Sequence, residues 1–387
     1  MVNQAFSNTA KKEGSQKGSI DQLVHTLSYG DAISTEVIAI QRACIAAGYS
    51  SVIYAINVHP FYKGKDSSLS GPIAHYEKLA LSPLNLALEH KVILHYSLGS
   101  PLNALYQSLS DYTRILIYHN LTPAKFFDGI NPLLVSSLNS GAQELPVLCE
   151  LSDQLLADSN FNADDLRAIS DRARKAGVAV LPLLVEPTRF EQPANAGFAS
   201  LLQNTKGINV LHVGRLVPNK GYEQIIRSFY FLRTFIDPQA RLWLVGTDID
   251  SELYGFALKR MCDAWGLSGN VEFLGQRSDG ELRSLYENCS VYLCLSEHEG
   301  FCLPVIEALH FGLPVISTRN GALAETLGCG GVLIDSVVPS LVAELIAEVA
   351  KNQSLREQII AAGKKRAAEF AASFFYERLR SSILISG

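Results

Sequence analysis

Apolar runs of strand length alternate with amphipathic helical stretches through most of this chain. That order is typical of parallel sheets covered by helices on both faces. It is clearest at residues 32–47, where apolar residues recur at helical spacing and Gly48 ends the run. We therefore expect an α/β fold built from two Rossmann-like, doubly wound domains. The strands predicted for the first of them are 22–27, 51–56, 92–95, 114–119, 155–158 and 179–182.

A lapse in this periodicity divides the chain. Residues 186–206 are rich in Pro, Asn, Gln and Gly, which indicates an interdomain linker. The length of 387 residues also exceeds what one hydrophobic core usually serves. Strands are predicted after the linker at 209–213, 241–245, 271–274, 290–295, 314–317 and 331–334. We predict a flexible lead-in at 1–19, an N-terminal domain at 20–190, a linker at 191–206, a C-terminal domain at 207–365, and a helix at 366–387 that crosses back to the first domain.

Charge and hydropathy argue against several classes of protein. The net charge of -5 provides no basic excess for neutralising a nucleic acid. No apolar run approaches the roughly 20 residues that span a bilayer, and the first residues lack the apolar core of a secretory signal. We expect a soluble, cytoplasmic protein, with peripheral contact at the inner face of the membrane left open. Seven cysteines, an odd set without a CxxC pair, favour reduced thiols.

The strongest chemical signal is the segment EGFCLPVIE, which begins at Glu299 and ends at Glu307 directly after a predicted strand. Pro304 suits the start of a helix and Gly312 its end, so a helix is predicted at about 304–311. Its first amides would attract an anion such as a diphosphate. Glu307, one turn into the helix, could accept hydrogen bonds from vicinal hydroxyls such as those of a ribose. An acidic, solvated helix is the alternative. The segment leading into the helix adds Gly300, Phe301, Cys302 and Leu303 as candidate donor contacts.

A second signal is the segment VGRLVPNKG, which follows the predicted strand at 209–213. Gly214 ends that strand, and Arg215 and Lys220 come before the next helix. The guanidinium group of an arginine and the ammonium group of a lysine can together bind a diphosphate. They can also stabilise the negative charge that the diphosphate gains as a leaving group. Basic residues in a loop are usually only solvated, but their position after a buried strand favours a binding role. No metal would then be required.

These two segments resemble those of glycosyltransferase family 4, the large family of retaining enzymes with the GT-B fold. The resemblance extends from about residue 20 to residue 331. It implies that two Rossmann-like domains face each other across a cleft. It also implies that Arg215 and Lys220 bind the donor diphosphate, that Glu299 lies beside the donor sugar and that Glu307 binds the ribose. The Phe-Leu-Gly turn of the family resembles residues 273–277, which adds Gln276 and Arg277 to the candidate donor-binding residues.

The first half carries a weaker part of the resemblance. Gly30 lies where such enzymes have a glycine loop that approaches the phosphate or acceptor, but Asp31 replaces the usual second glycine. The role of Asp31 is therefore left open. Residues 117–123 resemble the segment whose histidine contacts the donor sugar, so His119 is a candidate catalytic residue and Asn120 a candidate loop residue. A lone histidine at a strand end is otherwise more often structural.

The function implied by the resemblance is transfer of a hexose or related sugar from a nucleotide diphosphate sugar to a saccharide or lipid-linked saccharide, with retention of configuration. A role in cell-surface polysaccharide biosynthesis is expected, with no cofactor beyond the donor substrate. The candidate catalytic residues are Glu299, Lys220, Arg215 and His119. A sugar phosphorylase, a nucleotide-sugar epimerase and a non-catalytic nucleotide-sugar-binding subunit remain as alternatives.

Overall fold

The computed structural model describes residues 17–63, 70–81, 84–85 and 87–384. The predicted lead-in falls largely outside the described residues, and its last two positions already belong to a strand that begins at Gly18. The described chain forms two compact units. The first comprises Met1–Leu121, Ser137–Leu184 and Ala372–Gly387, and the second comprises Thr122–Ser136 and Val185–Ala371.

The first unit is built on a parallel sheet of seven strands in the order β3-β2-β1-β4-β5-β6-β7. Its strands are β1 Gly18–Leu27, β2 Ile53–Val58, β3 Ile73–His75, β4 Glu89–Tyr96, β5 Thr113–Tyr118, β6 Gln154–Ala157 and β7 Ala179–Val180. The helices that connect these strands are α1 Ala32–Ala46, α2 Pro101–Ser108, α3 Pro132–Leu151, α4 Asn160–Ile169 and α5 Asp171–Ala176. The three-residue strand β3 was not predicted, because so short a segment shows no periodicity.

The second unit contains a parallel sheet of six strands in the order β10-β9-β8-β11-β12-β13. Its strands are β8 Asn209–Val213, β9 Arg241–Val245, β10 Val271–Gly275, β11 Val291–Cys294, β12 Val315–Thr318 and β13 Val332–Ile334. Its helices are α6 Ala196–Gln203, α7 Tyr222–Phe231, α8 Glu252–Ala264, α9 Asp279–Asn288, α10 Leu303–His310, α11 Leu323–Leu327, α12 Pro339–Lys351 and α13 Gln353–Ala368. The six strands of this unit agree with the prediction to within one residue at every end.

The segment predicted as a linker, residues 191–206, contains the helix α6. Asn195 caps this helix by accepting the amide N–H of Phe198 at 3.0 Å. The amide of Asn195 also donates to the carbonyl of Gly280 at 3.0 Å, and the hydroxyl of Ser284 donates to the carbonyl of Asn195 at 3.1 Å. These contacts hold the segment against α9, so it is part of the second unit.

The chain ends in a further helix, α14, at Ala372–Leu379, followed by a π turn at Arg380–Leu384. The side chains of Phe375, Leu379 and Ile383 are buried in the core of the first unit. Lys91 donates to the carbonyl of Ile383 at 2.8 Å. The segment that groups with the first unit begins at Ala372, a few residues after the predicted start at 366.

Parallel strands place the loops that follow them at the same edge of a sheet, which is where open α/β sheets bind ligands. In the second unit β8 and β11 are neighbours, with Val210 opposite Val291, so the loops that follow them lie side by side. In the first unit the same holds for β1, β4, β5 and β6. None of the helices in the described part of the chain has the length and apolar character needed to cross a membrane.

Candidate functional site

The loops after β8 and β11 are held together by backbone contacts. Gly221 has a φ of 70°, and a Cβ placed on it would lie 2.2 Å from the carbonyl oxygen of Leu295. Only glycine allows this approach. Asn219 accepts the amide of Glu297 through its backbone carbonyl at 2.8 Å and donates its side-chain amide to the carbonyl of His298 at 3.1 Å. The two predicted motifs are therefore packed against each other.

This packing brings Lys220 to Glu299. The Lys220 Nζ lies 2.7 Å from Glu299 Oε2, and Ser296 donates to the other carboxylate oxygen at 2.8 Å. The Glu299 side chain is only 6% exposed and that of Lys220 is 21% exposed. Burial opposes the charge of Lys220, but attraction to Glu299 outweighs it and raises the pKa of Lys220. The pair is a charged, nearly buried centre at the edge of the sheet.

The loop between Glu299 and α10 is fixed from several directions. Gly321 leaves room for the carbonyl of Glu299, which accepts the amide of Ala322 at 2.9 Å. Phe301 is buried, with its ring centroid 5.6 Å from that of Phe370. Cys302, which follows, has a φ of 76°, a left-handed conformation that is uncommon for a residue with a side chain. Leu303 is the first residue of α10, one position before the predicted start, and Gly300 is partly exposed.

Glu307 is buried on α10 and already has two partners. Tyr286 donates its hydroxyl to Glu307 Oε2 at 2.7 Å, and Arg189 donates to Oε1 at 3.0 Å. Arg189 also forms an ion pair with Asp279 at 2.5 Å. The attraction of both carboxylates outweighs the effect of burial and raises the pKa of Arg189. Sequence reasoning missed Arg189, which lies in a segment that had been interpreted as loop and linker.

The two cationic side chains predicted to bind the donor diphosphate have different surroundings in the second unit. Lys220 meets Glu299, whereas Arg215 is exposed and donates to the carbonyl of Ile249 at 3.5 Å. Gly214 directly follows β8, and its carbonyl accepts a hydrogen bond from the hydroxyl of Tyr222 at 2.6 Å. Lys220 and Arg215 thus have different partners, and the predicted binding of one diphosphate by both cations stays a prediction.

Gln276 and Arg277 lie in the loop after β10, as predicted. Gln276 is exposed. Arg277 folds back on its own loop, donating its Nε–H to the carbonyl of Leu274 at 2.8 Å and pairing with Glu281 at 3.3 Å. These contacts give Arg277 a role in shaping the loop.

Two thiols lie beside the Lys220–Glu299 pair. Cys294 Sγ is 4.0 Å from Cys302 Sγ, and ligand atoms of Cys294, Cys302 and Glu299 all lie within 4.8 Å of one another. The two thiols are donors that a soft metal ion prefers, whereas the carboxylate of Glu299 is a hard donor already paired with Lys220. This cluster was not predicted from the sequence, because the two cysteines are eight positions apart and follow no metal-binding spacing.

In the first unit, Asp31 caps helix α1. Its carboxylate accepts the amide and the hydroxyl of Ser34, each at 2.9 Å. Gly30, exposed just before it, has a φ of 76°. The role that the sequence left open for Asp31 is therefore at least a structural one, since the cap satisfies an amide at the start of the helix.

His119 lies at the centre of a buried polar network. Its Nε2 is 2.9 Å from His95 Nδ1, and its Nδ1 is 3.0 Å from Asp158 Oδ1. Glu36 Oε2 lies 3.6 Å from the same Nδ1. Burial works against the charged imidazole, but attraction to Asp158 and Glu36 outweighs it and raises the pKa of His119 to about 9. The side chain is 1% exposed, and both ring nitrogens have partners, so the predicted contact with a donor sugar stays a prediction.

Asn120 follows His119 in a left-handed conformation, with a φ of 74°. Its side-chain amide donates to Asn162 Oδ1 at 2.9 Å.

The sequence analysis missed Glu36 and Asp158 as members of the polar network around His119. Glu36 lies on α1 among apolar neighbours, where a buried carboxylate is unexpected, and Asp158 had been assigned to the end of a strand.

Comparison with known proteins gives a family likeness for the second unit. Residues 195–366 match the sequence profile of the family Glycosyl transferases group 1. This part of the chain is therefore similar to the group 1 glycosyltransferases. An uncharacterised glycosyltransferase of Methanocaldococcus jannaschii is 32% identical over 174 residues, which are 43% of this chain and 44% of that protein. A GDP-mannose:cellobiosyl-diphosphopolyprenol alpha-mannosyltransferase of Xanthomonas oryzae pv. oryzae is 34% identical over 141 residues, 35% of this chain and 36% of that protein. The matched segments thus span less than half of these relatives.

Solved structures extend the likeness to both units. Sucrose-phosphate synthase from Thermosynechococcus elongatus has a TM-score of 0.70 at 18% identity, over 94% of this chain and 98% of the other. At this identity the likeness concerns the fold alone. It confirms the predicted GT-B fold, and the two parallel sheets are the two Rossmann-like domains of that fold.

Proposed function

We propose that this protein is a group 1 glycosyltransferase, a retaining hexosyltransferase that uses a nucleotide diphosphate sugar as donor. The observation that supports this most directly is the Lys220–Glu299 ion pair, in which Glu299 lies shortly before the N-terminus of α10. A diphosphate placed at this helix start would meet both the ammonium group and the free amides of the first turn. The match of residues 195–366 to the family supports the same assignment.

In the proposed reaction the leaving diphosphate is stabilised by Lys220, with Arg215 as a second cation that turns inward from its exposed position. Glu307 binds the ribose hydroxyls beside Arg189, and Glu299 lies beside the sugar. The acceptor hydroxyl forms the new bond to the anomeric carbon on the face from which the diphosphate departs. Its proton passes to a diphosphate oxygen, so no protein base and no metal ion are required.

For the acceptor we propose a saccharide or lipid-linked saccharide of a cell-surface polysaccharide. The Xanthomonas relative is named for a cellobiosyl-diphosphopolyprenol, which supports a lipid-linked acceptor. A lipid-linked acceptor would bring the protein to the membrane surface as a peripheral protein. In the first unit, a cavity of about 500 Å³ lined by Tyr62, Lys63, His75 and Lys78 is large enough for part of a saccharide.

A thermal-shift screen of UDP, GDP and ADP and of their sugar derivatives tests the donor assignment. A nucleotide at about 100 times its Kd should stabilise the protein by about 2.7 kcal/mol. Lys220→Met should abolish the shift. The matched control is Lys259→Met, which removes a lysine of the same unit that is 52% exposed and should keep the shift.

The screen contradicts the proposal if no nucleoside diphosphate raises the melting temperature, or if Lys220→Met responds like the control. With a binding donor in hand, the anomeric configuration of the hydrolysed or transferred sugar is followed by NMR. Retention is expected. Release of sugar phosphate on adding phosphate would indicate a phosphorylase, and donor binding without turnover on any acceptor would indicate a non-catalytic subunit.

A further inference from the structure

A chain of hydrogen bonds crosses four adjacent strands of the first unit. Gln22 lies on β1 and His95 on β4, while His119 follows β5 and Asp158 follows β6. Gln22 Oε1 is 3.0 Å from His95 Nε2, and the remaining links join His95 to His119 at 2.9 Å and His119 to Asp158 at 3.0 Å. All four side chains are buried.

The partners at the two ends fix the positions of the ring protons. The Gln22 side-chain amide donates to the carbonyl of Val37 at 3.0 Å, so its oxygen faces His95 and must accept the proton of His95 Nε2. At the other end, the carboxylate of Asp158 accepts the proton of His119 Nδ1. If both imidazoles were neutral, the two nitrogens that face each other would both carry lone pairs. A distance of 2.9 Å between them requires a proton.

A metal ion would fit this gap less well than a proton. Two imidazole nitrogens on a tetrahedral zinc ion, each about 2.05 Å from it, stand roughly 3.3 Å apart. His95 Nδ1 and His119 Nε2 are closer than that. The planes of the two rings are also nearly parallel, with an angle of 6° between them, which suits a linear N–H···N bond.

Glu36 completes the site from α1. It is fully buried, neither of its carboxylate oxygens has a hydrogen-bond partner among the described residues, and one of them lies 3.6 Å from His119 Nδ1. Burial raises the pKa of Glu36 to about 8. The titratable groups that act on His119 are Glu36 on α1, His95 on β4, Asp158 after β6 and Asp31 before α1.

We propose that His95 and His119 share one proton, so that His119 is a buried imidazolium, and that Gln22, His95 and Asp158 are positioning residues that hold its charge. The Asp158 carboxylate, 3.0 Å from His119 Nδ1, stabilises the protonated form of this imidazole. Because both ring nitrogens of His119 have partners, neither can serve as a general base.

The protonation state can be read by NMR of the full-length protein labelled with ¹⁵N-histidine. Both ring nitrogens of His119 should carry protons at pH 7, and this form should be lost near pH 9. His212 is the internal reference. It too is fully buried, but its Nδ1 lies 2.8 Å from the carbonyl of Leu293, and burial lowers its pKa to about 4, so it should be neutral. The spectra of His119→Gln and His212→Gln assign the signals.

Asp158→Asn keeps a hydrogen-bond acceptor but removes the charge, so His119 should be neutral at pH 7 in this variant. A role for Asp158 in packing alone would leave the proton in place. The inference is overturned if wild-type His119 is neutral at pH 7, or if elemental analysis finds a stoichiometric metal ion whose removal by chelation changes the His95 and His119 signals. If His119 is charged but no nucleotide binds, the donor assignment fails while the shared proton stands.

Discussion

The ion pair between Lys220 and Glu299 should contribute measurably to the stability of the second unit. At an effective dielectric constant near 20, two charges about 4 Å apart attract by about 4 kcal/mol, and desolvation offsets part of this. Removing one partner of a buried pair typically destabilises by 3–5 kcal/mol, because the other charge is left unpaired. The Lys220 side chain is 21% exposed, so we expect the lower end, about 3 kcal/mol, for Lys220→Met. Neutralising both partners in Lys220→Met/Glu299→Gln should reduce the loss to about 1 kcal/mol, which is about 2 kcal/mol less than for Lys220→Met alone.

Unfolding in guanidinium, followed by tryptophan fluorescence, measures these changes in the free energy of unfolding. The signal reports on the second unit, because both tryptophans, Trp243 and Trp265, lie in it. The control cycle uses Arg319 and Asp335, which form an ion pair at 2.5 Å but are 52% and 85% exposed. Their coupling should be at most about 1 kcal/mol. A Lys220–Glu299 coupling no larger than that of this exposed pair would refute the argument from burial.

Two further predictions concern the backbone and the buried network. Gly221→Ala should destabilise the second unit by more than about 3 kcal/mol, since its Cβ would meet the Leu295 carbonyl at 2.2 Å. Gly266→Ala, at a φ of 65° with no heavy atom found within 4 Å, should lose only about 1 kcal/mol, and equal losses in urea unfolding would remove the steric explanation. Glu36→Gln should become more stable relative to wild type as pH rises from about 4.5 to about 8, by on the order of 3 kcal/mol, because the folded carboxyl keeps its proton over this range while the unfolded one loses it. A pH-independent difference between the two proteins would contradict the raised pKa.

The sequence predicted the second unit better than the first. Strands such as β8 and β9 are mostly apolar runs, each followed directly by a glycine, and their predicted bounds match the structure. The short strand β3 and helix α6 were missed. Both depend on tertiary contacts, such as the hydrogen bonds of Asn195 with α9, and these leave no periodic pattern in the sequence.

The candidate site was predictable where residues close in sequence act together. The segments around Lys220 and Glu299 each show the sequence pattern of a strand, a tight turn and a helix start. The pairing of β8 with β11 then brings the two segments into contact. The network around His119 could not be predicted in this way. Its members come from four strands and a helix, and a buried carboxylate such as Glu36 is unexpected from composition and periodicity alone.

The contacts of Glu299 bear on how a donor would bind. Its loop is held by the Ala322 amide, by Ser296 and by the close approach of Gly321, so the carboxylate is already fixed in place. Lys220 has Glu299 as its ion-pair partner, which means that a diphosphate has to share or displace an existing attraction. The gain from binding a diphosphate alone is therefore smaller than for an unpaired lysine. A donor whose sugar hydroxyls bond to Glu299 compensates for the attraction lost, so the same geometry favours the complete donor over the diphosphate product.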